Sequence, residues 1–97
     1  MTLIELLDNL NDMEDDLTIY ATADPEWSEL SEAVVCPDAD EGSIPPEAQG
    51  KKYLLEVFLA KAVVDVWQKW RDGRKPSAHE KFEAIVFYAK NDAYLPI

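Results

Sequence analysis

Residues 52–70 read KYLLEVFLAKAVVDVWQKW, and the rest of the chain must be built around whatever they form. On a helical wheel stepped at about 100° per residue, Tyr53, Ala60, Val63, Val64 and Trp67 fall within about 80° of Glu56. Leu55, Leu59, Val66 and Trp70 continue the apolar arc on one side, while Lys61, Asp65, Gln68 and Lys69 hold the opposite bearing. An apolar arc this wide predicts one central helix over 52–70, covered by neighbours on several sides. Glu56 lies inside that arc, where a bare carboxylate is costly to bury. It must pair with Lys52 one turn earlier, reach a hydroxyl or backbone N–H, or stay protonated as a buried acid. The last role needs a proton-transfer partner within hydrogen-bond reach, and nothing in the sequence brings the only histidine, His79, to it.

The surrounding sequence supplies one domain, 1–97. A chain of 97 residues buries about 60–70% of its unfolded surface, and its 47% hydrophobic content is that of a packed core. Cys36 is the single cysteine, so no internal disulfide is available, as suits a reducing compartment. The opening MTLIELLDNL carries acids where a secretory leader carries bases. Glu56, Lys61 and Asp65 interrupt the longest apolar stretch, which excludes an ordinary membrane span. The expectation is a soluble cytoplasmic protein.

Charge is the most specific signal. The net charge is −11, and residues 1–50 hold fourteen Asp and Glu without a single Lys or Arg. Residues 51–97 hold six acids and nine bases. A solubility bias produces acidic chains, but usually with some lysine intermixed to relieve self-repulsion. A base-free half suits a surface that meets a basic partner.

In chain order, Thr2 and Glu5 have capping-box spacing, and Leu3, Leu6, Leu7 and Leu10 make one apolar face, predicting a helix over 3–11. Glu5, Asp8 and Asp12 line its other face. Asp12, Glu14, Asp15 and Asp16 crowd the negative end of the helix dipole, which is locally unfavourable. Leu17–Ala21 and Ala33–Cys36 read as short strands forming a two-stranded ribbon that must lie on the helices. Between them, Asp24-Pro25 looks like a helix start, with 25–31 turning Trp27 and Leu30 inward and Glu26, Glu29 and Glu32 outward. Residues 37–50 are turn and loop chemistry. Asp38, Asp40, Glu41 and Gly42 match a calcium loop poorly, because the glycine comes one position early and the twelfth position lacks an acid. No metal or other cofactor is expected. Residues 71–76 (RDGRKP) form a basic turn ending the long helix. Arg71, Arg74 and Lys75 there either offset the acidic half or hold a phosphate at the next helix start. Ser77 and Glu80 repeat the capping box and open a helix over 78–91, with Phe82, Ile85, Val86 and Ala89 inward and His79 on the surface. Tyr94 and Leu95 should fold back on the core. The fold class is α+β: an N-terminal helix, a short two-stranded ribbon, and two longer C-terminal helices packed as a hairpin.

No glycine-rich phosphate loop, Cys/His ligand pair or nucleophile elbow is present, so the sequence does not read as an enzyme. Three clustered bases against a net charge of −11 argue against direct nucleic-acid binding. What remains is binding to a basic protein or protein complex through Glu5, Asp8, Asp12, Glu14, Asp15, Asp16, Glu26, Glu29 and Glu32. Over roughly residues 5–41 the chain resembles, in charge and size and without a shared motif, the small acidic DNA mimics of phages and mobile elements, including anti-restriction and anti-CRISPR inhibitors. That resemblance implies blockade of the nucleic-acid-binding surface of a nuclease or CRISPR surveillance complex. The alternative is an immunity or antitoxin-type protein that neutralises a toxin, anchored by Phe58, Phe87 or Tyr88. A non-catalytic acidic subunit or homodimer is the third reading.

Overall fold

The computed structural model describes residues 1–37 and 44–96. The calcium-like run Asp38–Gly42 lies outside the described residues. The element order is α1 (Leu3–Asp8), β1 (Leu17–Ala21), β2 (Ala33–Pro37), β3 (Lys52–Glu56), α2 (Val57–Lys69) and α3 (Ala78–Asn91), with 3₁₀ turns at Leu10–Asp12 and Pro46–Ala48.

The expected 52–70 helix is two elements. Its first five residues form β3, so the sheet has three strands in the order β2-β1-β3, antiparallel throughout. The wide apolar arc arose from laying a strand and a helix on one wheel. A short apolar run satisfies either periodicity, and here pairing with β1 decides. From Val57 onward, α2 buries only Val57, Ala60, Val63 and Trp67, the single stripe of an ordinary amphipathic helix. In β3, Tyr53 and Leu55 pair with the adjacent residues Tyr20 and Ile19, leaving Leu54 as an extra residue in a β-bulge. The bulge breaks strict alternation, and Leu54 and Leu55 are both buried.

β1 is the central strand, paired from Leu17↔Pro37 to Ala21↔Ala33 with β2. Its two faces are both covered. Ile19 and Ala21 join the main core with Leu3, Leu6, Leu7 and Leu10 of the N-terminal segment and Ala84, Ile85 and Val86 of α3. Tyr20 points into a smaller cluster with Cys36 and Ala48, against the second 3₁₀ turn. The helices pack on one another and on the sheet, α3 touching both α1 and α2. This is a two-layer α+β arrangement.

Both capping boxes form. The Thr2 N–H donates to Glu5 Oε1 at 3.1 Å and the Glu5 N–H to Thr2 Oγ1 at 3.4 Å. At α3 the corresponding distances are 2.9 Å for Ser77 to Glu80 and 3.2 Å for the return bond. The helix expected over 3–11 ends at Asp8 and tightens into the first 3₁₀ turn. Gly73, with φ +82°, closes the end of α2 by donating to Gln68 O at 2.8 Å, in a backbone region that glycine enters without a Cβ penalty. Tyr94 does fold back, lying 5.2 Å from Tyr88 and 5.9 Å from Trp70 between ring centroids.

The helix expected at 25–31 is absent. Asp24-Pro25 is a cis peptide, and the segment is bends and turns. Two of its carbonyls serve α1, Ser31 O accepting from the Leu3 N–H at 2.8 Å and Glu29 O from the Ile4 N–H at 3.0 Å. Those amides begin a helix and have no partner within it, so a neighbour whose carbonyls are not used in a helix of its own satisfies them better than a second helix could. Trp27 is half-buried and donates its indole N–H to Ala21 O at 3.1 Å, as an inward residue should. Leu30, expected inward, is 78% exposed. No helix among the described residues is long and apolar enough to cross a membrane.

Candidate functional site

At one end of the sheet the connection from α1 to β1 lies against the junction of β3 and α2. The Phe58 N–H donates to Asp15 O at 3.2 Å, Thr18 is in register with Glu56, and Lys61 Nζ reaches Met13 O at 2.7 Å and Asp15 Oδ1 at 2.6 Å. These contacts bring Glu14, Asp15 and Asp16 beside Glu56 although forty residues separate them in sequence. Asp12 closes the adjoining 3₁₀ turn, which itself packs on α2. All five carboxylates are on exposed residues, and Phe58 beside them is 57% exposed. Lys61 is the only base that forms an ion pair with any of the five among the described residues.

The nine acids expected to act together have separate surroundings. Asp8 pairs with Lys81 at 3.2 Å, Asp15 with Lys61 at 2.6 Å, Glu26 with Lys90 at 2.7 Å and Glu29 with His79 at 2.5 Å. Glu32 takes the Met1 amino group at 3.1 Å. Glu5 is spent on the α1 cap, and the Thr2 hydroxyl and N–H hold its carboxyl below the usual glutamate value. Asp12, Glu14 and Asp16 form no ion pair among the described residues. The row Glu5/Asp8/Asp12 is thus interrupted at Asp8, and Glu26/Glu29/Glu32 lies on an irregular strap bound to α3 and the N-terminus. Basic side chains of the trailing half thus meet four of these nine acids: Asp8, Asp15, Glu26 and Glu29.

Residues 1–97, the whole of the chain, match DUF7716, a domain of unknown function. The chain belongs to that family. Neither a curated protein nor a solved structure matches it.

In this DUF7716 domain, Glu56 was the acid whose place sequence reasoning missed. It is the residue just before α2, in extended conformation and exposed, so it is neither buried nor one helical turn from Lys52. Its position as N-cap would have identified it, had the helix start been placed at Val57. The basic turn is also rearranged. Arg71 lies 4.3 Å over the Trp67 ring and donates to Trp67 O and Pro96 O. Arg74 lies 4.7 Å over the same ring and pairs with Glu80 at 2.9 Å. Of the three, Lys75 alone has no such partner among the described residues. Of the expected aromatic anchors, Phe87 and Tyr88 are half-buried along α3, and Phe58 alone stands well out.

Proposed function

We propose that the protein binds and blocks a basic surface of another macromolecule through the acidic end described above, acting by occupation rather than catalysis. The observation that carries this reading is that the segment bearing Asp12, Glu14 and Asp16 is held against the β3–α2 junction bearing Glu56 and the exposed Phe58, and that none of these four acids is ion-paired among the described residues. Carboxylates speed and orient docking on a basic partner, while a desolvated aromatic supplies most of the holding energy. A basic surface that normally binds nucleic acid is the target class most suited to such a patch. Blocking it is the mode implied by the resemblance to phage-type DNA mimics. Duplex DNA carries about one charge per 1.7 Å of axis, so a decoy works best with many carboxylates in rows. The described ion pairs shorten those rows. A second reading, neutralisation of a toxin as an immunity-type protein, is favoured specifically by Phe58, because aromatic anchoring is how protein partners, rather than phosphate mimics, gain affinity.

The test uses immobilised protein and a cell extract of its own host. Wild type should retain a basic protein that elutes as salt rises. The triple variant Asp12→Lys/Glu14→Lys/Asp16→Lys and the single variant Phe58→Ala should each lose it, while Asp8→Asn with Glu26→Gln should retain it. Added duplex DNA should displace the wild-type protein if the occupied surface is a nucleic-acid site, and should leave it in place if the partner is a toxin's catalytic face. Retention of the same proteins by the triple variant would end both readings.

A further inference from the structure

A cavity of about 230 Å³ opens where α1, α2 and the turn into α3 converge. Its rim carries Lys61, Lys75, Lys81, Asn11 and Gln68, and its floor is Leu7, Leu10 and Val64. In a chain with twenty acids and nine bases, none of the residues lining this cavity is acidic and three are lysines. We propose that it binds a small organic anion: a phosphate or carboxylate head met by the lysines, with a short aliphatic body on the leucine and valine floor.

The lysines have donors to spare. A lysine ammonium offers three N–H groups. Lys61 uses two of them, on Met13 O and Asp15 Oδ1, and Lys81 uses one, on Asp8 Oδ1. Lys75 makes no ion pair among the described residues. Asp8 and Asp15 hold two of the amines from outside the lining, so they anchor those lysines without filling the cavity. The side chains of Lys61 and Lys81 are only 29% and 20% exposed, and hydrogen bonds hold both amines in place. An anion there pays less to fix its partners than at freely moving surface lysines. The two amides can bond an ester or carboxylate oxygen, and an aliphatic body gains by covering the apolar floor.

This site is separate from the acidic end, so its failure leaves the proposed function untouched. Amide chemical shifts of the labelled protein, titrated at constant ionic strength with hexyl phosphate, hexanoate and inorganic phosphate, test it. Saturable shifts are expected at Leu7, Asn11, Gln68 and Lys81, with one of the two hexyl ligands binding roughly tenfold or more tighter than inorganic phosphate. Whichever hexyl ligand binds tighter names the head group. Lys75→Gln should weaken binding roughly five- to tenfold, whereas Lys69→Gln, removing the same charge from the exposed face of α2, should change it little. Absence of saturable shifts in every titration, inorganic phosphate binding as tightly as both hexyl ligands, or equal losses in the two lysine variants would each overturn the proposal.

Discussion

His79, the single histidine, has its charge state near neutral pH set by its neighbours. Its Nδ1 lies 2.5 Å from Glu29 on the strap and its Nε2 lies 3.3 Å from Glu83 on its own helix. The hydrogen bond to Glu29 raises its pKa above 6.5, with Glu83 and Glu80 adding to the pull. A raised folded-state pKa stabilises the fold fully below the unfolded value, and that contribution is lost as pH rises through the folded one. The ring protons of this single histidine should therefore titrate above pH 6.5, and Glu29→Gln should bring the midpoint down toward the ordinary value. Three glutamates work in the other direction. Glu5 is held low by Thr2, Glu26 by Lys90, and Glu80 by the Ser77 N–H and then Arg74. Their contribution is present above the ordinary glutamate pKa and disappears as pH falls through their lowered values. Phe58 is an exposed aromatic at the start of α2. Because it is 57% exposed, Phe58→Ala should change the unfolding free energy by no more than about 0.5 kcal/mol. A urea titration measures this, and a larger loss would mean the ring serves the fold rather than a partner.

At the scale of elements, the β3–α2 junction governs both the core and the acidic end. Successive leucines at 54 and 55 both reach the interior because of the bulge. Leu54→Ala and Leu55→Ala should each cost about 2–5 kcal/mol, whereas a regular strand would leave one of them nearly free of effect. The same junction exposes Glu56 and Phe58 together, since the strand ends one residue before the helix begins. The helix caps are simpler and were legible from spacing: Thr2 with Glu5, and Ser77 with Glu80. Ser77→Ala should lower stability by about 1 kcal/mol, read from denaturant unfolding, because the Glu80 amide then lacks its acceptor. The end of α2 was legible in the Gly73 turn and the extent of α3 in its cap and apolar spacing. The 25–31 segment was not, because its backbone carbonyls answer to α1, twenty-five residues away in sequence.

For the molecule as a whole, charge decides the response to salt. A net −11 at neutral pH repels itself, while the exposed ion pairs to Lys61, Lys81 and Lys90 are each worth little. Raising ionic strength from about 0.01 M to 0.15 M shortens the screening length from about 30 Å to 8 Å. The melting temperature should therefore rise with salt, even as affinity for a basic partner falls. A fall in both would mean that the ion pairs outweigh the general repulsion. The charge segregation seen in sequence is only partly kept in space, because folding lays the bases of α2 and α3 across acids of the leading half.

Local chemistry was sufficient for much of this. Capping spacing, apolar faces and the excess of carboxylates all act between residues a turn apart or by simple summation, so the sequence alone determined α1, α3, β1, β2 and the overall charge. Contacts between distant segments decided the remainder. Pairing with β1 made 52–56 a strand, accepting hydrogen bonds from the first amides of α1 kept the strap out of a helix, and lysines on α2 and α3 selected which acids would be neutralised. Neither the unpaired acids at the β3–α2 junction nor the three-lysine cavity is written in any one stretch, because each needs side chains from segments that only meet once the sheet and helices have packed.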